Sequence, residues 1–100
     1  MTKQIIWSPL AEKDFNSILD YLQNKWDNIV VRKFISITFE LIHQISVNPK
    51  QFPLIYKTEK IRECVLTKHN ILFYRENKIT IDVLRIFDNR QDPQKLKFNH

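Results

Sequence analysis

Apolar positions along the chain change period twice, from alternating to helical and back to alternating. Lys3 to Trp7 reads as a short strand. Ser8-Pro9 follows as a helix start, with serine as cap and proline at the first helical position, where a missing N–H costs nothing. Ala11, Phe15, Ile18, Leu19, Leu22 and Trp26 then recur at helical spacing, with Asp14, Asn16, Asp20, Gln23 and Asn24 on the other face, to an end near Lys25. Asp27 or Asn28 caps a second helix, whose stripe runs through Val30, Val31, Phe34, Ile37, Thr38, Leu41, Ile42 and Ile45. Asn48-Pro49 stops it, because proline disfavours helix in the residue before it.

Lys50 to Lys60 is expected as a polar loop whose apolar part, Phe52 to Tyr56, lies against a sheet edge. Three strands follow at Ile61–Thr67, Ile71–Arg75 and Ile79–Phe87, joined by the turns Lys68-His69-Asn70 and Glu76-Asn77-Lys78. Connections this short make an antiparallel meander. The predicted architecture is one α+β domain over residues 1–100, in the order β-α-α-β-β-β, with a helical hairpin packed on a small, mainly antiparallel sheet. The last strand, taken as the centre of the sheet, runs into VLRIFDNRQDP (Val83 to Pro93), which carries Arg85 mid-strand and Arg90 just past its end.

The second helix is apolar on more than one face: Ile29, Ile35 and Phe39 lie outside its main stripe. It either sits centrally in the core or leaves a groove along the hairpin for a partner. Composition is that of a globular chain, at 43% hydrophobic and 27% charged residues. No run reaches membrane-span length, and the apolar patch of MTKQIIWSPL is too short for a signal-peptide core, so the cytoplasm is the expected compartment. One cysteine, Cys64, excludes an internal disulfide and a thiolate-built zinc site. Its place in an apolar strand reads as a small buried hydrophobe. Neither a metal nor a cofactor is expected.

Charge is one-sided. The first 48 residues hold five basic and five acidic side chains, the remainder eleven and six, so the whole net charge of +5 lies in the second half. Such a field suits a polyanion or an acidic protein, and equally a solvated basic surface. Charge alone also fits a small nucleic-acid-binding domain, although no recognition helix is evident. Glycine is absent, which excludes a glycine-rich phosphate loop. Backbone positions needing positive φ are then expected at asparagine, with Asn48, Asn70, Asn77 and Asn89 at the breaks in pattern.

The element order, the Ile61-Arg62-Glu63-Cys64-Val65 opening of the meander, the ILFYR segment and the VLRIFDNRQDP close together resemble the RelE/ParE toxin superfamily over nearly the whole chain, and its ParE-like branch most. That resemblance implies the toxin of a type II toxin–antitoxin module, held inactive by a cognate antitoxin in a hetero-oligomer. Trp26, Phe34, Ile37 and Leu41 are the expected antitoxin contacts. The ParE-like branch implies poisoning of DNA gyrase. The contacts would be Arg62, Arg85, Arg90 and the tail residues Lys95, Lys97 and Phe98. The RelE-like branch implies a metal-independent, ribosome-dependent mRNA endoribonuclease. In it Arg62, Arg85 and Arg90, joined by Lys57 and Lys60, would stabilise phosphorane charge, with Tyr74 or His69 as acid or base. Where ribonuclease members carry a tyrosine or histidine after the last strand, this chain has Phe87-Asp88-Asn89. Contact with gyrase is therefore the leading expectation. His43 and Tyr56 have no assigned role, and His100 is expected to be a disordered end. Arg85 has a structural alternative, an ion pair with Glu63 or Asp82.

Overall fold

The computed structural model describes residues 3–98, so His100 lies outside the described residues. The first strand, β1 (Gln4–Trp7), leads into helix α1 (Pro9–Lys25) and then helix α2 (Asn28–Val47). A 3-10 turn at Pro49–Gln51 follows, then β2 (Leu54–Tyr56), β3 (Ile61–Val65), β4 (Asn70–Glu76) and β5 (Thr80–Asp88), with a last 3-10 turn at Pro93–Lys95. Both predicted caps form. Ser8 Oγ accepts the Ala11 N–H at 3.0 Å, and Asp27 Oδ1 accepts the N–H groups of Ile29 and Val30 at 3.0 and 3.3 Å.

The α+β fold stands, with one strand more than predicted. Leu54–Tyr56, expected as a loop against the sheet edge, pairs antiparallel with β3 through an irregular register. The sheet order is β1-β5-β4-β3-β2. Its centre is therefore β4, and β5, taken from sequence as central, lies between β4 and the short β1. The β1–β5 pair is parallel, from Gln4 opposite Thr80 to Trp7 opposite Val83, and all other pairs are antiparallel. A register shift between Phe73 and Tyr74 leaves Leu84 as an extra residue on β5. It explains how Leu84 and Ile86, two residues apart, join different clusters on the two faces.

Both faces of the sheet are covered. On one, Cys64, Leu72, Tyr74, Ile81, Val83 and Ile86 pack under the two helices, with Phe34, Ile42 and Ile45 from α2. On the other, Ile61, Phe73, Leu84 and Phe87 pack beneath Ile55, Leu96 and Phe98. The α2 helix answers both readings of its sequence. Phe34, Thr38, Ile42 and Ile45 are buried, while Ile29 is 61% and Phe39 49% exposed.

The expectation for asparagine is corrected. The one described residue at positive φ is Lys60 (60°), at the end of a turn closed by its N–H to the Lys57 carbonyl at 3.2 Å. Two of the asparagines act through side chains instead. Asn77 Nδ2 donates to the Asp82 carboxylate and Asn89 Nδ2 to the Lys68 carbonyl at 3.1 Å, so backbones of ordinary hand close these turns.

Candidate functional site

The β5 strand outruns β1, and its exposed edge sets up the site. Ser8 N–H bonds the Val83 carbonyl at 2.9 Å, Ser8 Oγ donates to the Leu84 carbonyl at 2.8 Å, and the chain then turns into α1. The next edge donor, Ile86 N–H, is taken by Asp14 Oδ2 at 3.0 Å. The same carboxylate receives Arg85 Nε at 2.7 Å and Nη2 at 3.0 Å, a bidentate pair with both side chains mostly buried. Arg85 Nη1 donates to the Lys97 carbonyl at 2.7 Å. Arg85 thus ties α1, β5 and the tail together, and its partner is neither Glu63 nor Asp82. Asp14 was placed from sequence on the polar face of α1. Yet it stands three residues after Ala11 and four before Ile18, and that spacing puts an acid on the core-facing side.

Just past β5, Asp88 and Arg90 form a second bidentate pair. Arg90 Nε and Nη2 reach Asp88 Oδ1 and Oδ2 at 2.9 and 2.6 Å, and the guanidinium lies 5.3 Å over the Tyr21 ring. The Arg90 hydrogen bonds, against some desolvation, hold the Asp88 carboxyl below its usual range, and Asp88 in turn holds the Arg90 guanidinium above its own. His69 lies close enough to add to the lowering at Asp88. Its own carbonyl accepts the Asn89 N–H at 2.8 Å.

Beside this pair lies a groove of about 310 Å³ between the connected end of the helical hairpin, where α1 passes into α2, and the β3–β4 turn. Trp26, Phe34 and Ile37 line it together with His69, Asn70 and Arg90. Three of the four expected antitoxin contacts are thus gathered in one place. The fourth, Leu41, packs half-buried against the helix-side core. Asn70, read from sequence as a turn residue, is a buried wall of this groove.

The remaining candidates are apart from it. Tyr74 is 0% exposed, and its hydroxyl donates to the Pro49 carbonyl at 2.6 Å. Burial above all pushes its pKa up, so as a proton shuttle it is closed off on the helix side of the sheet. Arg62 Nη1 donates to the Phe52 carbonyl at 2.7 Å and the Lys50 carbonyl at 3.4 Å. It borders a surface hollow shared with Lys57 and Lys60 at the β2–β3 edge. Lys95 and Lys97 are exposed on the tail, while Phe98 is half-buried, its ring 5.3 Å from that of Phe73 and 5.6 Å from that of Tyr56. Cys64 is buried, and burial pushes its thiol up to about 11. Among the described residues no three His, Cys, Asp or Glu side chains gather as a metal site, and no helix is long and apolar enough to cross a membrane.

A two-helix layer on a five-stranded, mostly antiparallel sheet matches the fold of RelE/ParE-like toxins. A family profile described as the ParE toxin of type II toxin–antitoxin system, parDE, matches residues 5–93, and the chain belongs to that family. The fold is similar to that of the chromosomal ParDE system from P. aeruginosa, at 17% identity and TM-score 0.73 over 87% of this chain and 96% of that one. It is similar to the YoeB/ParE toxin from Agrobacterium tumefaciens, at 14% identity and TM-score 0.62 over 85% and 96%. The E. coli DinJ-YafQ toxin-antitoxin complex also matches, at 16% identity and TM-score 0.59 over 90% and 96%. No curated protein matches the sequence significantly.

Proposed function

We propose that this ParE-family toxin arrests growth in the cytoplasm by binding DNA gyrase, without cutting nucleic acid, and that a cognate antitoxin held in a hetero-oligomer neutralises it. The observation that carries contact over cleavage is the state of Tyr74: the hydroxyl offered as acid or base is buried and committed to the Pro49 carbonyl. The bidentate forks of Arg85 and Arg90 are likewise committed to Asp14 and Asp88. Of the other expected contacts, Arg62 Nη1 donates to the Phe52 and Lys50 carbonyls, while Lys95 and Lys97 stand exposed on the tail with Phe98 beside them. Expression in a bacterium with plasmid supercoiling, DNA breaks and protein synthesis followed together tests this. The expected outcome is DNA breakage with changed supercoiling before translation falls. Immediate translation arrest with mRNA cut at codon positions and intact DNA would sink it.

One arrangement favours mRNA cleavage as the second reading. His69, Asp88 and Arg90 gather at one end of the sheet, where an imidazole and a guanidinium flank a carboxylate. If that reading holds, His69→Ala abolishes mRNA cleavage by the expressed chain and leaves its folding intact.

The antitoxin is assigned to the groove of Trp26, Phe34 and Ile37. Trp26 is 60% exposed there, and a large aromatic ring is the usual anchor of an interface. The gene's neighbouring small open reading frame should encode a protein that binds this chain tightly, and Trp26→Ala should weaken that binding at least tenfold in calorimetry.

A further inference from the structure

Among the described residues one buried side-chain polar atom has no hydrogen-bond partner: Asn70 Nδ2. Asn70 is 7% exposed and lines the groove under the hairpin. The oxygen end of its amide is the end already engaged. Thr67 Oγ1 accepts the His69 N–H at 3.2 Å and donates its own hydrogen to Asn70 Oδ1 at 2.8 Å. The Asn70 N–H donates to the Thr67 carbonyl and its carbonyl accepts the Leu66 N–H across the turn, which holds the backbone of the residue at the groove wall. A donor buried without an acceptor is costly, and such groups are rare in folded chains. This one lies where a ligand would supply the missing oxygen.

Chemistry around it defines the occupant. The floor is apolar, from Phe34 and Ile37; Lys33 and His69 stand at the groove beside Arg90, itself paired with Asp88, and no carboxylate is among the lining residues. A second copy of this chain, itself at +5, would bring the wrong charge. We infer that Asn70 is the polar anchor of the groove. It donates from Nδ2 to a carbonyl or carboxylate oxygen of an acidic, apolar-sided peptide segment, whose apolar side chains seat on Phe34 and Ile37. This rests on the antitoxin reading above and adds to it the atom that selects the segment.

The affinity of the antitoxin encoded beside this gene is measured for the wild type, Asn70→Leu and Asn70→Asp, together with the melting temperature of each free chain. Asn70→Leu removes the orphan donor, so the free chain melts at or above the wild-type temperature while the complex weakens about tenfold. Asn70→Asp sets a carboxylate against the partner's oxygen and weakens it about a hundredfold. In the ¹⁵N-labelled wild type, the Asn70 side-chain NH₂ signals move downfield and exchange more slowly once the antitoxin is bound, a readout that holds even if a variant fails to fold. Equal affinity in folded variants, or unmoved Asn70 side-chain signals, overturns the inference and leaves antitoxin binding standing. Absence of wild-type binding overturns both. Self-association of the chain that depends on Asn70 overturns the inference in favour of a second copy.

Discussion

The two faces of the sheet are built to different strengths. One is roofed by helices of 17 and 20 residues and holds the fully buried Cys64, Leu72, Tyr74 and Ile81. The other buries Ile61, Phe73, Leu84 and Phe87 under little more than the tail. That cover is held by the Phe98 ring, by Leu96 and by the hydrogen bond from Arg85 to the Lys97 carbonyl. Removing the helices would unfold the chain, whereas lifting the tail would uncover one small apolar cluster. The helix face carries stability. The tail face joins the exposed lysines to a thin cover of few buried contacts.

The sharpest test of that contrast is Leu72→Ala, expected to lose about 3–4 kcal/mol in urea unfolding because it empties a close-packed site. Asp14→Ala comes next, at about 2 kcal/mol, since it strands a mostly buried guanidinium and the Ile86 N–H together. Adding Arg85→Leu to it should recover part of that loss, and a purely additive double mutant would deny the tie. Phe98→Ala is expected to cost only about 1 kcal/mol, with hydrogen exchange rising at β4 and β5 and global unfolding little changed. If it costs as much as Leu72→Ala, the two faces are equals and the contrast fails. The smallest effect is electrostatic. An unfolded aspartate titrates near pH 3.9, and Arg90 holds folded Asp88 lower. The pair's contribution is therefore complete above about pH 4 and is lost as pH falls through the folded value. Half-exposed Arg90 limits it to a few tenths of a kcal/mol, and Asp88→Asn should flatten that part of the acid limb.

Helices, caps and meander were legible because each rests on local periodicity and on side chains bonding their own neighbours. The short β2 was not, since three residues pairing at an edge owe their strand form to β3 rather than to any pattern of their own. The arginines were found, but what they hold was not. Asp14 lies 71 residues from Arg85, and no short-range rule reaches that far. Tyr74 was read as a possible proton donor because its hydroxyl is visible in sequence, whereas its roof beneath Pro49 is a product of packing. Spacing placed Trp26 on one helix and Phe34 and Ile37 on the other, while only packing brings them to one groove; Asn70 was missed because a turn asparagine gives no sign that half its amide will be left over.

The parallel pairing of β1 with β5 has a consequence in time. Ser8 bonds Leu84, 76 residues later, so the first strand emerging from the ribosome has no partner until nearly the last is made. The hairpin can form early, but the sheet edge that Asp14 and Arg85 seal exists only after β5 has been synthesised. A prematurely terminated message therefore yields no finished toxin. The groove waits on the same step, since Asn70 and Arg90 join its helical wall only once β4 and β5 are in place.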